Sequence, residues 1–319
     1  MSGERPFRFG VLGEGVRSRQ ELVDTARAAE VAGYATFLLR DHIVAAPFGP
    51  QLAPLPALAT VAAVTERLRI GTLVLSNDFR QPVMLAKEAA TLDVLSGGRF
   101  ELGLGAGWLR AEYEQAGLPF DRAGTRVDRL EESLRVLKGL FGDGPSSFTG
   151  SHYDIRDLTS FPQPVQRPHP PLLVGAGSPR MLKIAAREAD IINILNSSVT
   201  TGTLISDPDG FSPGAVTEKV EWVREAAGAR FDDVELSMVV SVTVTDEPRE
   251  EAARFAARQG WEGVKADEVL TMPSVFIGPV ARIAEEMRVR RERYGVSYFV
   301  VSDSDMAAFS PVVASLVGT

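Results

Sequence analysis

Eight short apolar runs recur along the chain, and each is followed by a stretch with helical spacing. The runs are Phe7–Leu12, Ala35–Leu39, Leu68–Leu75, Arg99–Gly103, Pro171–Val174, Asp190–Leu195, Val234–Val244 and Ser297–Val301. Most are near-continuous in apolar residues rather than alternating. That is the pattern of strands covered on both faces in a parallel sheet. Eight strand–helix units in one chain predict a single closed (β/α)8 TIM barrel in the α/β class, spanning 1–319, with a doubly wound open sheet as the competing architecture.

Punctuation between the runs supports the helices. Ser18-Arg19-Gln20-Glu21 reads as a capping box, in which the serine accepts from the third helical N–H and the glutamate reaches back. Proline stands at predicted first turns in Gln81-Pro82, Ser178-Pro179, Gly278-Pro279 and Ser310-Pro311, where its missing N–H costs nothing. Residues 142–170 and 196–214, rich in Gly, Pro, Ser and Asp, exceed ordinary connections. They are read as insertions after the fourth and sixth strands, acting with the loop 43–54 as walls or lids of a binding site. The arginine-rich stretch Arg282–Arg293 reads as a solvated helix face with intrahelical pairs.

Composition narrows the chemistry. The chain has no cysteine, which excludes disulfides, thiolate metal sites and cysteine nucleophiles. Its Lys+Arg count of 34 against 42 Asp+Glu gives a formal charge of −8, the wrong overall sign for tracking nucleic acid. No apolar run approaches the roughly 18 residues of a membrane span, and Met1–Phe9 lacks the apolar stretch of a signal peptide, so a cytoplasmic setting is expected. The three histidines, His42, His152 and His169, are not clustered, so no metal site is expected.

Chemistry in a barrel collects at the C-terminal ends of its strands. There the sequence places Arg40-Asp41-His42, Ser76-Asn77-Asp78, Gly103-Leu104-Gly105-Ala106-Gly107-Trp108, Gly175-Ala176-Gly177-Ser178 and Asn193-Ile194-Leu195-Asn196. Gly175-Ala176-Gly177-Ser178 precedes a helix start, so bare backbone N–H groups and a helix N-terminus can meet one anion. Tight strand-to-helix turns also need glycine for conformation alone, so this pattern has two readings. His42 likewise reads either as a packing histidine or as an acid–base group beside Asp41. Trp108, directly after a glycine run, is a candidate pocket wall, whereas Trp222 sits in a helical pattern and reads as packing.

These pieces, in this order, resemble the bacterial luciferase-like superfamily and within it the branch that uses the deazaflavin F420. The resemblance is carried by Ala28–Tyr34, Arg40-Asp41-His42, Arg69–Val74 with Arg80-Gln81-Pro82, Ser96–Arg99, Leu102–Trp108 with Glu112-Tyr113, and Pro171–Leu182. It implies a (β/α)8 barrel binding F420 (alternatively FMN) at the strand ends, with a non-proline cis peptide at Leu73-Val74 set against the ring. It further implies ring contacts from Asp41 and Ser76, and backbone contacts to the ribityl and phosphate groups from Gly105-Ala106-Gly107 and Gly175-Ala176-Gly177-Ser178. His42 matches an acid–base histidine of F420-dependent sugar-phosphate dehydrogenases. Those enzymes carry a catalytic glutamate where this chain has Trp108, so their substrate is not carried over, and a larger or more apolar one is expected.

The activity so implied is hydride transfer between F420 and a small organic molecule. The alternative is an FMN-dependent two-component monooxygenase. In either case the resemblance implies a separate flavin or F420 reductase as partner. Relatives also imply a homodimer, for which Leu55–Val64 and Val83–Leu95 are apolar and rich in small residues.

Overall fold

The structure is a computed structural model and describes residues 5–197, 202 and 207–319. Strands one to eight are Arg8–Leu12, Thr36–Leu39, Arg69–Thr72, Phe100–Gly105, Leu172–Ala176, Ile191–Ile194, Glu235–Val239 and Val296–Ser302. They lie side by side in the order three-two-one-eight-seven-six-five-four. Strand three also pairs with strand four, Ile70 opposite Phe100, which closes the sheet into a parallel barrel. The runs read from sequence therefore became strands covered outside by helices and filled inside by side chains.

Helix starts follow the local chemistry. Ser18 Oγ accepts from the Glu21 N–H at 3.2 Å while Glu21 Oε2 accepts from the Ser18 N–H at 3.0 Å. Gln81 caps the helix Pro82–Leu95, and Ser178 caps the helix Pro179–Glu188 by accepting from the Met181 N–H. Pro311 departs from expectation. It lies inside the helix Met306–Leu316 rather than in its first turn, and the preceding turn starts at Asp305.

The barrel interior is layered by the two-residue period of the strands. At the N-terminal end Arg8 reaches Glu101 and Glu235, and Arg69 Nε donates to Glu101 at 2.6 Å. Arg8 also lies over the Tyr298 ring, 3.9 Å from its centroid. Above this charged plug comes an apolar layer that includes Leu12, Leu38, Leu73, Leu173, Ile191 and Val300. One residue pair further up, the strands open into the pocket described below.

Three expectations need correction. The run Val234–Val244 is not one strand: its ladder changes partner at Val240, and Ser241–Val244 leaves the barrel to pair with Val275–Gly278. That second strand, absent from the eight runs, anchors a satellite core of Phe255, Trp261, Val269 and Met272. Residues 142–170 do not line the pocket. They follow the helix Ala123–Phe141, form the hairpin Ser146–Thr149/Asp154–Leu158, and return beneath the barrel, where Gln166 Nε2 donates to the Phe100 carbonyl at 2.7 Å. Finally, Arg290 is not solvated. It is buried, donates to the carbonyls of Pro273 and Val275, and lies 3.9 Å from the Phe276 ring centroid. Of the stretch 196–214, residues 198–201 and 203–206 lie outside the described residues.

Candidate functional site

The C-terminal mouth of the barrel holds a pocket of about 390 Å³. Its wall contains every site residue read from the sequence: Asp41, His42, Leu73, Val74, Ser76, Gly105, Ala106, Gly107, Trp108, Gly175, Ala176, Gly177 and Ser178.

The floor is built by a backbone irregularity. After strand three the Leu73–Val74 peptide is cis, and the chain resumes pairing with strand four only at Leu75–Ser76. This segment presses against strand four so closely that side chains have no room there. A Cβ on Gly103 would lie 1.8 Å from the Thr72 carbonyl oxygen, and one on Gly105 would lie 2.7 Å from Val74 Cγ2. Gly103 and Gly105 are thus required by the close packing of the bulge. At Gly175 the situation is the reverse: a Cβ would meet only Val74, at 3.5 Å, so this glycine keeps the floor low and open.

Gly107 is held differently. Its φ is +75°, and a Cβ would lie 1.8 Å from Tyr113 Oη. Tyr113 Oη in turn donates to Asp78 at 3.1 Å, and burial raises its pKa above the ordinary phenol value. Replacing Gly107 by Ala therefore forces both a left-handed alanine and a steric clash. The expected cost is about 2–4 kcal/mol in urea denaturation. Adding Tyr113→Phe should recover part of it, whereas an unchanged midpoint in Gly107→Ala alone would contradict this packing.

At the far side, strand five leads into Gly177-Ser178 and the helix Pro179–Glu188. The backbone N–H groups of Gly177 and Ser178 have no hydrogen-bond partner among the described residues. Pro179 at the first helical position has no N–H to offer. Two free amides at the start of a ten-residue helix leave donors that an anion could occupy.

On the near side, strand two ends in Asp41 and His42. The Arg80 guanidinium binds both Asp41 oxygens, and Asp41 Oδ2 also accepts from the Ser76 N–H at 3.1 Å. Asp41 therefore ties the end of strand two to the segment after the cis peptide. His42 Nδ1 lies 3.1 Å from Glu112 Oε1, and the same oxygen accepts from the Ile43 N–H at 2.6 Å. Glu112 is 3% exposed. With a carboxylate against Nδ1, the proton of neutral His42 sits there and Nε2 carries the lone pair. Nε2 has no hydrogen-bond partner among the described residues. The ring is boxed by Phe48, 4.9 Å between centroids, and by Trp108, edge-on at 5.9 Å.

Sequence reasoning passed over Glu112, Phe48 and Asn193 as site residues. Glu112 sits in the first turn of the helix Arg110–Ala116, 70 residues from His42 in the chain. Its only local signal is a carboxylate on the face that also carries buried Tyr113. Among the described residues no cluster of three metal-ligating side chains occurs, and no helix is long and apolar enough to cross a membrane.

The luciferase-like monooxygenase family model matches residues 6–316. The chain belongs to that family. Within it, the chain is 30% identical over 307 residues to the F420-dependent glucose-6-phosphate dehydrogenase of Microbacterium testaceum, covering 93% of this chain and 84% of that one. It is 34% identical over 211 residues to the pyrimidine monooxygenase RutA of Variovorax paradoxus, covering 66% of this chain and 52% of that longer protein. Among solved structures, the F420-dependent tetrahydromethanopterin reductase of Methanopyrus kandleri superposes with a TM-score of 0.76 at 18% identity, covering 99% of both chains. Both the family match and the superposition run nearly end to end, so the barrel and its satellite elements are family architecture.

Proposed function

We propose that this family member is an F420-dependent oxidoreductase acting on a small organic molecule, a single-domain barrel over 1–319. One observation carries the reading. A proton-handling histidine, fixed by Glu112, faces a pocket whose opposite end offers free amides for a phosphate and whose floor is the Leu73–Val74 bulge. The near-full-length likeness to an F420-dependent dehydrogenase supports F420 over FMN.

The residues present fit such a cofactor. The Gly177 and Ser178 amides and the helix behind them would hold its phosphate. Gly105-Ala106-Gly107 and Ala176 would line the ribityl chain, and Leu73, Val74, Ser76 and Asp41 would set the ring. When bound, the deazaflavin supplies two-electron hydride chemistry. The protein's own tasks are to orient the substrate, keep water out and move a proton. His42 Nε2 is placed for the last of these, and Trp108 and Phe48 close the site around it.

Turnover should need no oxygen. Under strict anaerobiosis the protein with F420 should exchange hydride with members of a panel of neutral alcohols, ketones and enones, followed by the deazaflavin absorbance. Activity seen only with reduced FMN and oxygen would contradict the proposal.

The reading includes a cytoplasmic setting, a separate reductase supplying reduced cofactor, and a homodimer. For the dimer, the helix Pro82–Leu95 leaves Met84, Val94 and Leu95 largely exposed, and Val31, at the end of the helix Arg19–Val31, is 86% exposed. Light scattering at micromolar concentration should give twice the 34.4 kDa chain mass. A mass of one chain would remove this part of the reading.

A further inference from the structure

Resting on the proposed hydride-transfer site, we infer that Asn193 reads the substrate, and that the substrate is an uncharged molecule with an apolar body and a hydroxyl or N–H group. Asn193 is 1% exposed and lies on the inward face of strand six, one step above Ile191 of the apolar layer. Its Nδ2 donates to Ser237 Oγ on strand seven at 3.2 Å. Its Oδ1 is buried and accepts nothing, and the residue lines the pocket wall. A buried acceptor without a partner is costly, and it is repaid when a ligand donates to it. Asn196 Oδ1, at the rim above, is likewise buried and unpartnered.

The basic side chains around the pocket are already engaged, which favours an uncharged substrate beside the cofactor. The basic side chains among the pocket's described lining residues are Arg40, His42 and Arg126. Arg40 pairs with Glu14 at 2.6 Å and stacks 4.1 Å from the Phe48 centroid. Arg126 donates to the carbonyls of Gly107 and Asp121 and stacks on Phe120. His42 is held by Glu112. Residues 196–211 contain no Lys, Arg or His, but they do contain Asp207 and Asp209. A phosphate or carboxylate on the substrate would find Arg40 already paired with Glu14 and Arg126 already turned to backbone carbonyls. The remaining walls (Phe48, Trp108, Met181, Leu195, Phe211 and Val239) are apolar. An apolar pocket whose buried acceptors, Asn193 Oδ1 and Asn196 Oδ1, lack partners selects a neutral donor-bearing ligand, because an analogue lacking the donor leaves an acceptor unpaired.

The test uses the F420-loaded protein and four probes of one carbon skeleton: cyclohexanol, cyclohexyl methyl ether, cyclohexanecarboxylate and cyclohexyl phosphate. Dissociation constants come from ligand-observed NMR titration, and F420 affinity is measured separately by fluorescence. Cyclohexanol should bind at least about tenfold more tightly than the ether and either anion. Asn193→Leu should abolish the preference over the ether while leaving F420 affinity unchanged. Four results would each overturn the inference. One is binding of an anion as tight as that of cyclohexanol, and a second is no binding of cyclohexanol at all. Another is an unchanged preference over the ether in Asn193→Leu. The last is loss of F420 affinity in that variant, which would make Asn193 a cofactor ligand. Failure of the wild-type protein to bind F420 at all strikes the cofactor reading instead, and cyclohexanol and the ether are then compared on the protein without F420, where the absence of a preference overturns the inference.

Discussion

Replacing His42 by Asn is expected to slow turnover by about 10²–10⁴-fold while leaving cofactor affinity within a factor of a few. The expectation follows from the hydrogen-bond arrangement. Glu112 Oε1 sits 3.1 Å from Nδ1, which leaves Nε2 as the one ring atom free to give or take a proton. Asparagine keeps a polar group beside Glu112 but carries no atom that titrates near neutrality. The Ile43 N–H still holds Glu112 in place at 2.6 Å, so the loop should keep its course. Glu112→Gln offers a second readout. It leaves His42 present but removes the carboxylate that fixes its tautomer, so kcat should fall less than in His42→Asn and the pH profile of kcat should move. Full activity in His42→Asn, measured at saturating cofactor, would remove this residue from proton transfer.

The largest stability effect is expected at the opposite end of the barrel. Glu101 is 1% exposed and receives guanidinium groups from Arg8 and Arg69. Burial alone would raise its pKa, but the two arginines outweigh burial and hold it below the usual glutamate value. Nearby Glu235 shows the other outcome: burial dominates its attraction to Arg8, and its pKa is raised. Glu101→Gln leaves two arginines facing a neutral amide inside the barrel. The expected loss is about 3–5 kcal/mol, measured by urea denaturation at neutral pH. The pH dependence has a definite sign. Because the folded-state pKa of Glu101 is depressed, its contribution is complete above the unfolded carboxylate value and is lost as pH falls through the lower folded one. Wild type and Glu101→Gln should therefore converge in stability as the medium is acidified. A loss below about 1 kcal/mol at neutral pH would show that the plug is not held by this carboxylate.

The barrel was legible because burial on both faces leaves an unmistakable pattern: eight apolar runs, with capping residues such as Ser18 and Ser178 between them. The strand seven boundary was not, because Val234–Val244 keeps the same period through Val240. What changes there is the partner, from strand eight to Val275–Gly278, and partner choice leaves no mark on one strand's sequence. The charged plug escaped notice for a related reason. Arg8, Arg69, Glu101 and Glu235 are single charges at or near the starts of four separate strands, and only closure of the barrel brings them together.

The site divides in the same way. Residues fixed by backbone needs could be located from local sequence and resemblance: the glycines at 105, 107, 175 and 177, the bulge at Leu73–Val74, and His42 at a strand end. Residues defined by what they touch could not. Glu112 has a role only because its helix folds over His42, and Asn193 looks like one polar interruption in an apolar strand until the pocket above it is seen. The segment 142–170 was misread because composition marks a long connection without saying at which end of the barrel it lies.

The most direct test of the cofactor reading is a fluorescence and calorimetric titration of the purified protein with oxidised and reduced F420 and with oxidised and reduced FMN. Binding of F420 at least about tenfold tighter than FMN in the matching redox state is the expected result. Substituting Gly177 should weaken that binding, because a Cβ there would lie 2.7 Å from the Ser197 carbonyl oxygen and displace the turn whose free amides would hold the phosphate. Preference for reduced FMN over either form of F420 would contradict the account, and it would make the protein the oxygen-using half of a two-component system.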